Sequence, residues 1–336
     1  MNNLQLNVDL KKIEHNIDIF KSMKKTICAM VKANAYGVGF DIIPHYISMG
    51  VNFYGVSTFE EALKVRRYSK DIDIIVVSYV DPLYYDEAIE NNITITLFEK
   101  SQINDIPVNL KLHIKFDTMM GRIGFDMSDI SIVKKAIPKL NVQGIFTHFP
   151  EALNEELTIK QISIFKKIVV ELEYEFNYIH CQNSTGSLMY DVDFCNMIRP
   201  GIGILGLFGS EGEVIESGLK PSLSLYAPVY MLKEYEGFVG YDLTQKVNGK
   251  MATIRIGYND GLSRSYNGYR FKQNNAKIVG NISMCQTMIT YEGKLGSTFE
   301  VFGDINSIYD LTKYSGQIVY QLLVSMNERT TRNYIE

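Results

Sequence analysis

Lys32 ends the apolar run "CAMV" on a charged amine, and Tyr36 and two glycines follow it in "KANAYGVG". Further along the chain come Arg122 in "KFDTMMGRIGF", His148 in "THF", and His180, Asn183 and Ser184 in "HCQNS". Arg199, Gly201 and Ile202 stand together in "RPGIG". An amine that can shed its proton attacks carbonyls and takes protons from carbon acids. Arginines, hydroxyls and Gly-rich backbone bind anionic or phosphorylated ligands. Taken singly, each residue has a bland reading. A lysine closing a strand snorkels to solvent, a lone histidine is a hydrogen-bonded structural group, and "RPGIG" is a Gly/Pro loop. Arg122 alone is a surface charge. Their weight comes from falling together at strand ends.

The elements that must position them can be read in order. "LNVDLKKIEHNIDIFKSM" predicts a short strand, Asp9 as helix N-cap, and an amphipathic helix with Leu10, Ile13, Ile17 and Phe20 on one face. The strand candidates that follow are "TICAMV", "NFYGVS", "DIIVVSYV", "ITITLF", "LKLHIKF", "VQGIFTHF", "YIHCQN" and "NMIRPGIGIL". Helical stretches such as "FEEALKVRRYS", "YYDEAIENN", "SIVKKAIPKL" and "IKQISIFKKIVVELE" separate most of them. Such alternation predicts a parallel sheet. Spread over about two hundred residues, these strands predict a (β/α)8 barrel of the TIM type, whose functional groups gather at the C-terminal strand ends. After about residue 215 strand-like segments with Gly-rich turns take over, predicting a mostly β second domain. The expected division is 1–215 and 216–336, with the opening strand free to pair with the second domain.

Composition narrows the function. A chain of 336 residues exceeds what one core usually serves. With 46% hydrophobic and 21% charged residues it reads as soluble and globular. A net charge of −4 and no basic cluster argue against nucleic acid and for a small-molecule partner. The start lacks the basic head and unbroken apolar core of a signal peptide, and no apolar run approaches a membrane span. Cys28, Cys181, Cys195 and Cys285 stand singly and the histidines are scattered, so a cytoplasmic protein without a metal site is expected.

"VKANAYG", "KFDTMMGRIGF", "THF", "HCQNS", "RPGIG", "GYNDG" and "GNISMCQ" run in the order and approximate spacing of the alanine racemase family, which the chain resembles over nearly its whole length. The resemblance implies a pyridoxal 5'-phosphate enzyme that works as a homodimer with shared active sites. It implies Lys32 as the lysine joined to the cofactor and as base on one substrate face. Tyr241, in "GFVGYDL", would be the partner subunit's base on the other face. Arg199 would face the pyridine nitrogen and leave it unprotonated. Related barrel decarboxylases place an acid there, so Arg199 speaks for racemisation. Arg122 would touch the cofactor's phenolic oxygen and the substrate carboxylate. Tyr36, Ser184 and the amides of Gly201 and Ile202 would hold the phosphate, with His148, His180 and Asn183 around them. Met284 and Cys285 would border the substrate carboxylate from the partner subunit, and Tyr258 and Arg264 would line the access channel. Lys115 matches a lysine that is sometimes covalently modified in the family.

The chain departs from the family pattern towards the substrate. Met119 replaces a glycine, Asn281 and Cys285 replace an Arg and an Asp, and Leu153 replaces an Asp of the channel. Glu328 aligns with a tyrosine that narrows the pocket for alanine. A carboxylate there would attract an ammonium at ~4 Å by about 4 kcal/mol before desolvation. The expectation is a racemase for a basic amino acid, ornithine or lysine, with siderophore assembly as the functional analogy. The competing readings are an alanine or serine racemase supplying D-alanine for cell wall, and a non-catalytic protein that only carries pyridoxal phosphate.

Overall fold

The computed structural model describes residues 3–209 and 217–336. The boundary expected at 215/216 falls outside the described residues. Strand β1 (Gln5–Asp9) leads into helix α1 (Leu10–Lys21), and the Asp9 carboxylate accepts from the Lys12 amide at 2.9 Å as the predicted N-cap. The expected apolar face of α1, Leu10, Ile13, Ile17 and Phe20, is buried.

The predicted strands all form: β2 (Thr26–Met30), β3 (Phe53–Val56), β4 (Asp73–Val76), β5 (Ile93–Leu97), β6 (Lys111–Lys115), β7 (Asn141–Phe146), β8 (Tyr178–His180) and β9 (Met197–Ile198). They make one parallel sheet in the order β8-β7-β6-β5-β4-β3-β2-β9. The sheet curls until its ends meet, where the Asn196 amide donates to the Ile179 carbonyl at 3.1 Å and the Arg199 amide to the Gln182 carbonyl at 3.0 Å. Helices α2 (Lys32–Tyr36), α3 (Ile43–Ser48), α4 (Phe59–Arg66), α5 (Tyr85–Glu90), α6 (Ile130–Ala136), α7 (Glu155–Leu172) and α8 (Ser184–Met189) join the strands. Covered on both faces, β3 and β5 are buried at every residue, which is why β3 reads as an apolar run, while β5 buries Thr94 and Thr96 among its apolar residues.

The second unit holds β10 (Leu223–Val239), β11 (Gln245–Ile254), β12 (Thr287–Thr290), β13 (Thr298–Phe302) and β14 (Thr331–Ile335), with helices α9 (Ile308–Ser315) and α10 (Val319–Val324). Its sheet runs β12-β11-β10-β1-β14, with β13 also on β10. The first strand of the chain therefore lies inside the C-terminal sheet, antiparallel to β10 and parallel to β14. Helix α10 rests on the barrel mouth. Gly37, at φ +85°, lets it approach so closely that a Cβ there would lie 2.0 Å from the Leu323 carbonyl oxygen. Arg332 Nε donates to the Gly37 carbonyl and the Tyr334 hydroxyl to the Val38 carbonyl, each at 2.8 Å.

Candidate active site

A cavity of about 600 Å³ opens at the C-terminal ends of the barrel strands. Lys32, Tyr36, Arg122, His148, Asn183, Ser184, Arg199, Gly201 and Ile202 all line it. Residues spread over some 170 positions of sequence are thus brought to one mouth by strand order alone.

Lys32 starts α2, which is not a right-handed helix. Ala33, Asn34, Ala35 and Tyr36 all have φ between 51° and 56°. A left-handed turn costs roughly 1–2 kcal/mol per L-residue, so the surroundings must hold it. The Glu61 carboxylate takes the Ala33 amide at 2.6 Å and the Ser57 amide at 2.9 Å. The Ala35 amide donates back to the Val31 carbonyl at 2.8 Å. This turn leaves the Lys32 amine and the Tyr36 ring in the same cavity wall. Burial and then the Arg122 charge pull the Lys32 amine below its ordinary value, with Arg199 adding to them and Glu61 opposing.

Across the mouth, Ser184 Oγ accepts from the amides of Gly201 at 3.0 Å and Gly203 at 3.1 Å. Gly201 lies so near Tyr36 that an added Cβ would be 2.4 Å from the phenol oxygen. The Asn183 side chain accepts from the Gly186 amide at 2.8 Å and fixes the bend that presents Ser184. Tyr36, Ser184 and the Gly201–Ile202 backbone form a cradle of donors that only glycine at 201 leaves open.

Arg199 is 4% exposed. It has no carboxylate partner among the described residues. Its Nη1 donates to His180 Nδ1 at 2.6 Å, and Nη2 donates to the carbonyls of Thr147 at 2.7 Å and Cys181 at 3.2 Å. Its guanidinium also lies over the Phe146 ring, 5.3 Å from the centroid. Because arginine only donates, His180 Nδ1 must accept and its proton sits on Nε2, 2.8 Å from His113 Nδ1. Burial first, then the Arg199 charge, hold both imidazoles neutral, His113 at about 3. His180, expected to touch the cofactor, is not part of the cavity wall. It lies behind Arg199, stacked on Phe146 at 4.9 Å, and acts by orienting the guanidinium.

His148 Nδ1 lies 3.4 Å from Arg199 Nη2, and burial and the surrounding cations keep this ring neutral too. Lys115 also faces the cavity, its amine pushed down to about 8 by burial, then Arg122 and Arg199. Arg122 is aimed by Asp117, whose carboxylate takes the amides of Met119, Met120 and Arg122 at 2.9, 2.7 and 2.8 Å. Met119 keeps φ +104°, the conformation for which the family's glycine is suited. Four cations around a glycine-lined donor cradle fit the phosphorylated, anionic cofactor that the resemblance implies.

The residues expected on the partner's site stay off this cavity in their own chain. Tyr241, Tyr258 and Met284 are 65%, 46% and 56% exposed on the C-terminal unit. Arg264 is exposed and 3.7 Å from the Asp242 carboxylate, and Cys285 Sγ accepts from Arg329 Nη1 at 3.0 Å. Glu328, expected to face the pocket, is exposed and absent from the cavity wall. The cause lies in its neighbours. Arg329 Nε lies 3.7 Å from the Asp260 carboxylate and Asn327 bonds to the Asn259 carbonyl, so their turn leans towards residues 259–260. From the same segment Tyr320 on α10 reaches the cavity instead, its ring 5.9 Å from that of Tyr36. Sequence reasoning missed Tyr320, Glu61, His113 and Glu151. For Glu61 the signal was there, as the capping box "TFEE", but it promised only a helix start.

Sequence models of the alanine racemase N-terminal domain and C-terminal domain match residues 8–208 and 222–334. An alanine racemase of Staphylococcus epidermidis is 32% identical over 361 aligned positions, covering 98% of this chain and 94% of the relative. Among solved structures, the alanine racemase of Bacillus anthracis with bound L-Ala-P superposes with a TM-score of 0.92 at 27% identity, covering 100% of this chain and 96% of that one. A histidine racemase of Leuconostoc mesenteroides subsp. sake gives 0.90 at 26% identity, covering 100% and 98%.

Proposed function

The chain belongs to the alanine racemase family, whose members are pyridoxal-phosphate-dependent racemases, and on that premise we propose that it interconverts the enantiomers of an amino acid at a site completed by a second copy of itself. The observation that carries this reading is a lysine amine with a lowered proton affinity facing an anion cradle across one cavity. Tyr36, Ser184 and the Gly201–Ile202 backbone would hold the cofactor phosphate, Arg199 its ring nitrogen, and Arg122 its phenolic oxygen. When bound, pyridoxal phosphate supplies the electron sink that makes a Cα proton removable. The Lys32 amine, uncharged, takes or returns that proton at Nζ on one face. Arg122 also orients the substrate carboxylate, and Tyr320 and Tyr36 close the phosphate end against water.

The opposite face needs a second base from the partner. The family resemblance favours Tyr241, but hydrogen bonding favours Tyr258. A base for Cα must sit beside the group that holds the α-carboxylate, which by resemblance is the Met284 backbone. The Tyr258 amide donates to the Ser283 carbonyl at 3.1 Å and the Asn259 amide to the Met284 carbonyl at 2.9 Å. A Cβ on Gly257 would come within 2.4 Å of the Met284 oxygen. Tyr258 and Met284 are therefore one rigid piece. The Tyr241 segment packs instead on Gly280 and Asn281, whose side chain donates to the Tyr241 carbonyl at 3.0 Å, and no hydrogen bond joins it to Met284 among the described residues. We assign the second base to Tyr258. Retained turnover in Tyr258→Phe together with loss in Tyr241→Phe would reverse the assignment.

For the substrate we propose an amino acid with a basic side chain, ornithine or lysine, with alanine as the competing reading because the curated relatives carry that name. A histidine racemase at similar fold likeness supports a wider range than alanine. The test is to incubate the cofactor-loaded protein in heavy water with single L-amino acids. Deuterium uptake at Cα with appearance of the D-enantiomer is expected, and Lys32→Ala should abolish it. Carbon dioxide release without racemisation would contradict the reading.

A further inference from the structure

Four cations face the cavity, and one carboxylate shares its wall, that of Glu151. By resemblance Lys32 is matched to the cofactor it joins, Arg199 to the ring nitrogen, and Arg122 to the phenolic oxygen and the α-carboxylate. Glu151 is matched to nothing: among the described residues its carboxylate forms no hydrogen bond and no ion pair. An exposed glutamate on a loop is ordinarily a solvated charge. Two features set this one apart.

First, the loop that carries it is fixed. The Glu151 carbonyl accepts from the Asn154 amide at 3.1 Å and from the Thr158 hydroxyl at 3.2 Å. The next carbonyl, of Ala152, accepts from the Tyr190 hydroxyl at 2.8 Å. Beneath them the Phe149 ring packs so closely on Gly186 that a Cβ there would lie 2.9 Å away. Second, the residues that follow it in the wall, Ala152 and Leu153, are apolar, and Met120 lines the same cavity. An apolar surface next to a free carboxylate suits a side chain with a hydrocarbon stem and a cationic end.

We propose that Glu151, not Glu328, selects the substrate side chain, and that it selects one ending in an ammonium, guanidinium or imidazolium group. Resting on the racemase reading, this names the residue behind its substrate class. The attraction acts equally before and during proton transfer, so it belongs in KM more than in kcat. A carboxylate at an open rim is partly screened, so the effect should weaken as salt rises.

The test compares L-lysine with L-norleucine, which has the same stem without the charge, and with L-alanine and L-histidine, on the cofactor-loaded dimer. Lysine or histidine is expected to exceed norleucine in kcat/KM by ~10-fold, equivalent to about 1.4 kcal/mol. Glu151→Gln should collapse that ratio through KM, leave norleucine within about twofold, and leave the melting temperature unchanged because the side chain supports no fold contact. Norleucine or alanine turned over as fast as lysine and histidine overturns the proposal, as does a ratio that survives Glu151→Gln. In either case the racemase reading stands. If no amino acid exchanges its α-proton, both fall together.

Discussion

The reactive residues are those the barrel keeps in their less charged form. Lys32 is drawn down by burial and by Arg122, and Lys115 reaches about 8 for the same reasons. A part-neutral amine between Arg122 and Arg199 can take up carbon dioxide, which would replace a cation with an anion beside two guanidiniums. Protein kept in 13C-bicarbonate should show a carbamate resonance that is missing in Lys115→Met, and its absence from both would leave Lys115 a plain amine. His113 and His180 are buried and His148 half-buried at the cavity wall, and all three are held neutral, with pKa values below the ordinary 6.5. Unfolded, each would bind a proton below that value, while the folded state would not. Their contribution is therefore full above pH 6.5 and shrinks as pH falls. For His113, held at about 3, this amounts to about 1.4 kcal/mol lost by pH 5.5, and His148 and His180 act in the same direction. Urea unfolding of the cofactor-free protein should show most of that loss, and a flat profile from pH 6.5 to 5.5 would contradict it.

Among the elements, the left-handed turn α2 and helix α10 decide the geometry of the site. Gly37→Ala forces a Cβ onto the Leu323 carbonyl and a left-handed φ onto alanine. A loss of about 3 kcal/mol or more is expected, with turnover falling as Tyr320 leaves the cavity. Met119→Gly works the other way. At φ +104° glycine removes strain and should add about 1 kcal/mol without changing kcat. A lower melting temperature for Met119→Gly would contradict that. The barrel strands were legible because two-faced burial writes long apolar runs, and the cavity residues because those runs end on polar groups. The α2 turn was not legible, since "ANAY" carries no glycine to announce positive φ. Nor was α10. "VYQLLV" is short and apolar, and with α10 missed the pocket-facing role fell on Glu328 in place of Tyr320. Glu151 looked like any loop glutamate until the fold put it on the cavity wall.

Across the whole molecule, the groups proposed for catalysis are divided between two surfaces that one chain does not bring together. Lys32 lies inside the barrel mouth, whereas Tyr258 and Met284 stand exposed on the C-terminal unit, which also leaves Phe238, Tyr241 and Leu243 uncovered. Exposed apolar groups of this size mark a surface for a partner, and a two-fold pair would complete two equivalent sites at once. Turnover per chain should therefore fall on dilution below the dimer dissociation constant, as followed by light scattering and deuterium uptake on the same samples. The most direct measurement is complementation between two inactive variants. Lys32→Ala and Tyr258→Phe homodimers should each lack racemisation. Mixed in equal amounts and allowed to exchange subunits, half of the dimers should carry one intact site of two, and activity should return to about one quarter of the unmodified enzyme. A mixture that exchanges subunits yet stays as inactive as its parents would contradict a site built from Lys32 of one chain and Tyr258 of the other.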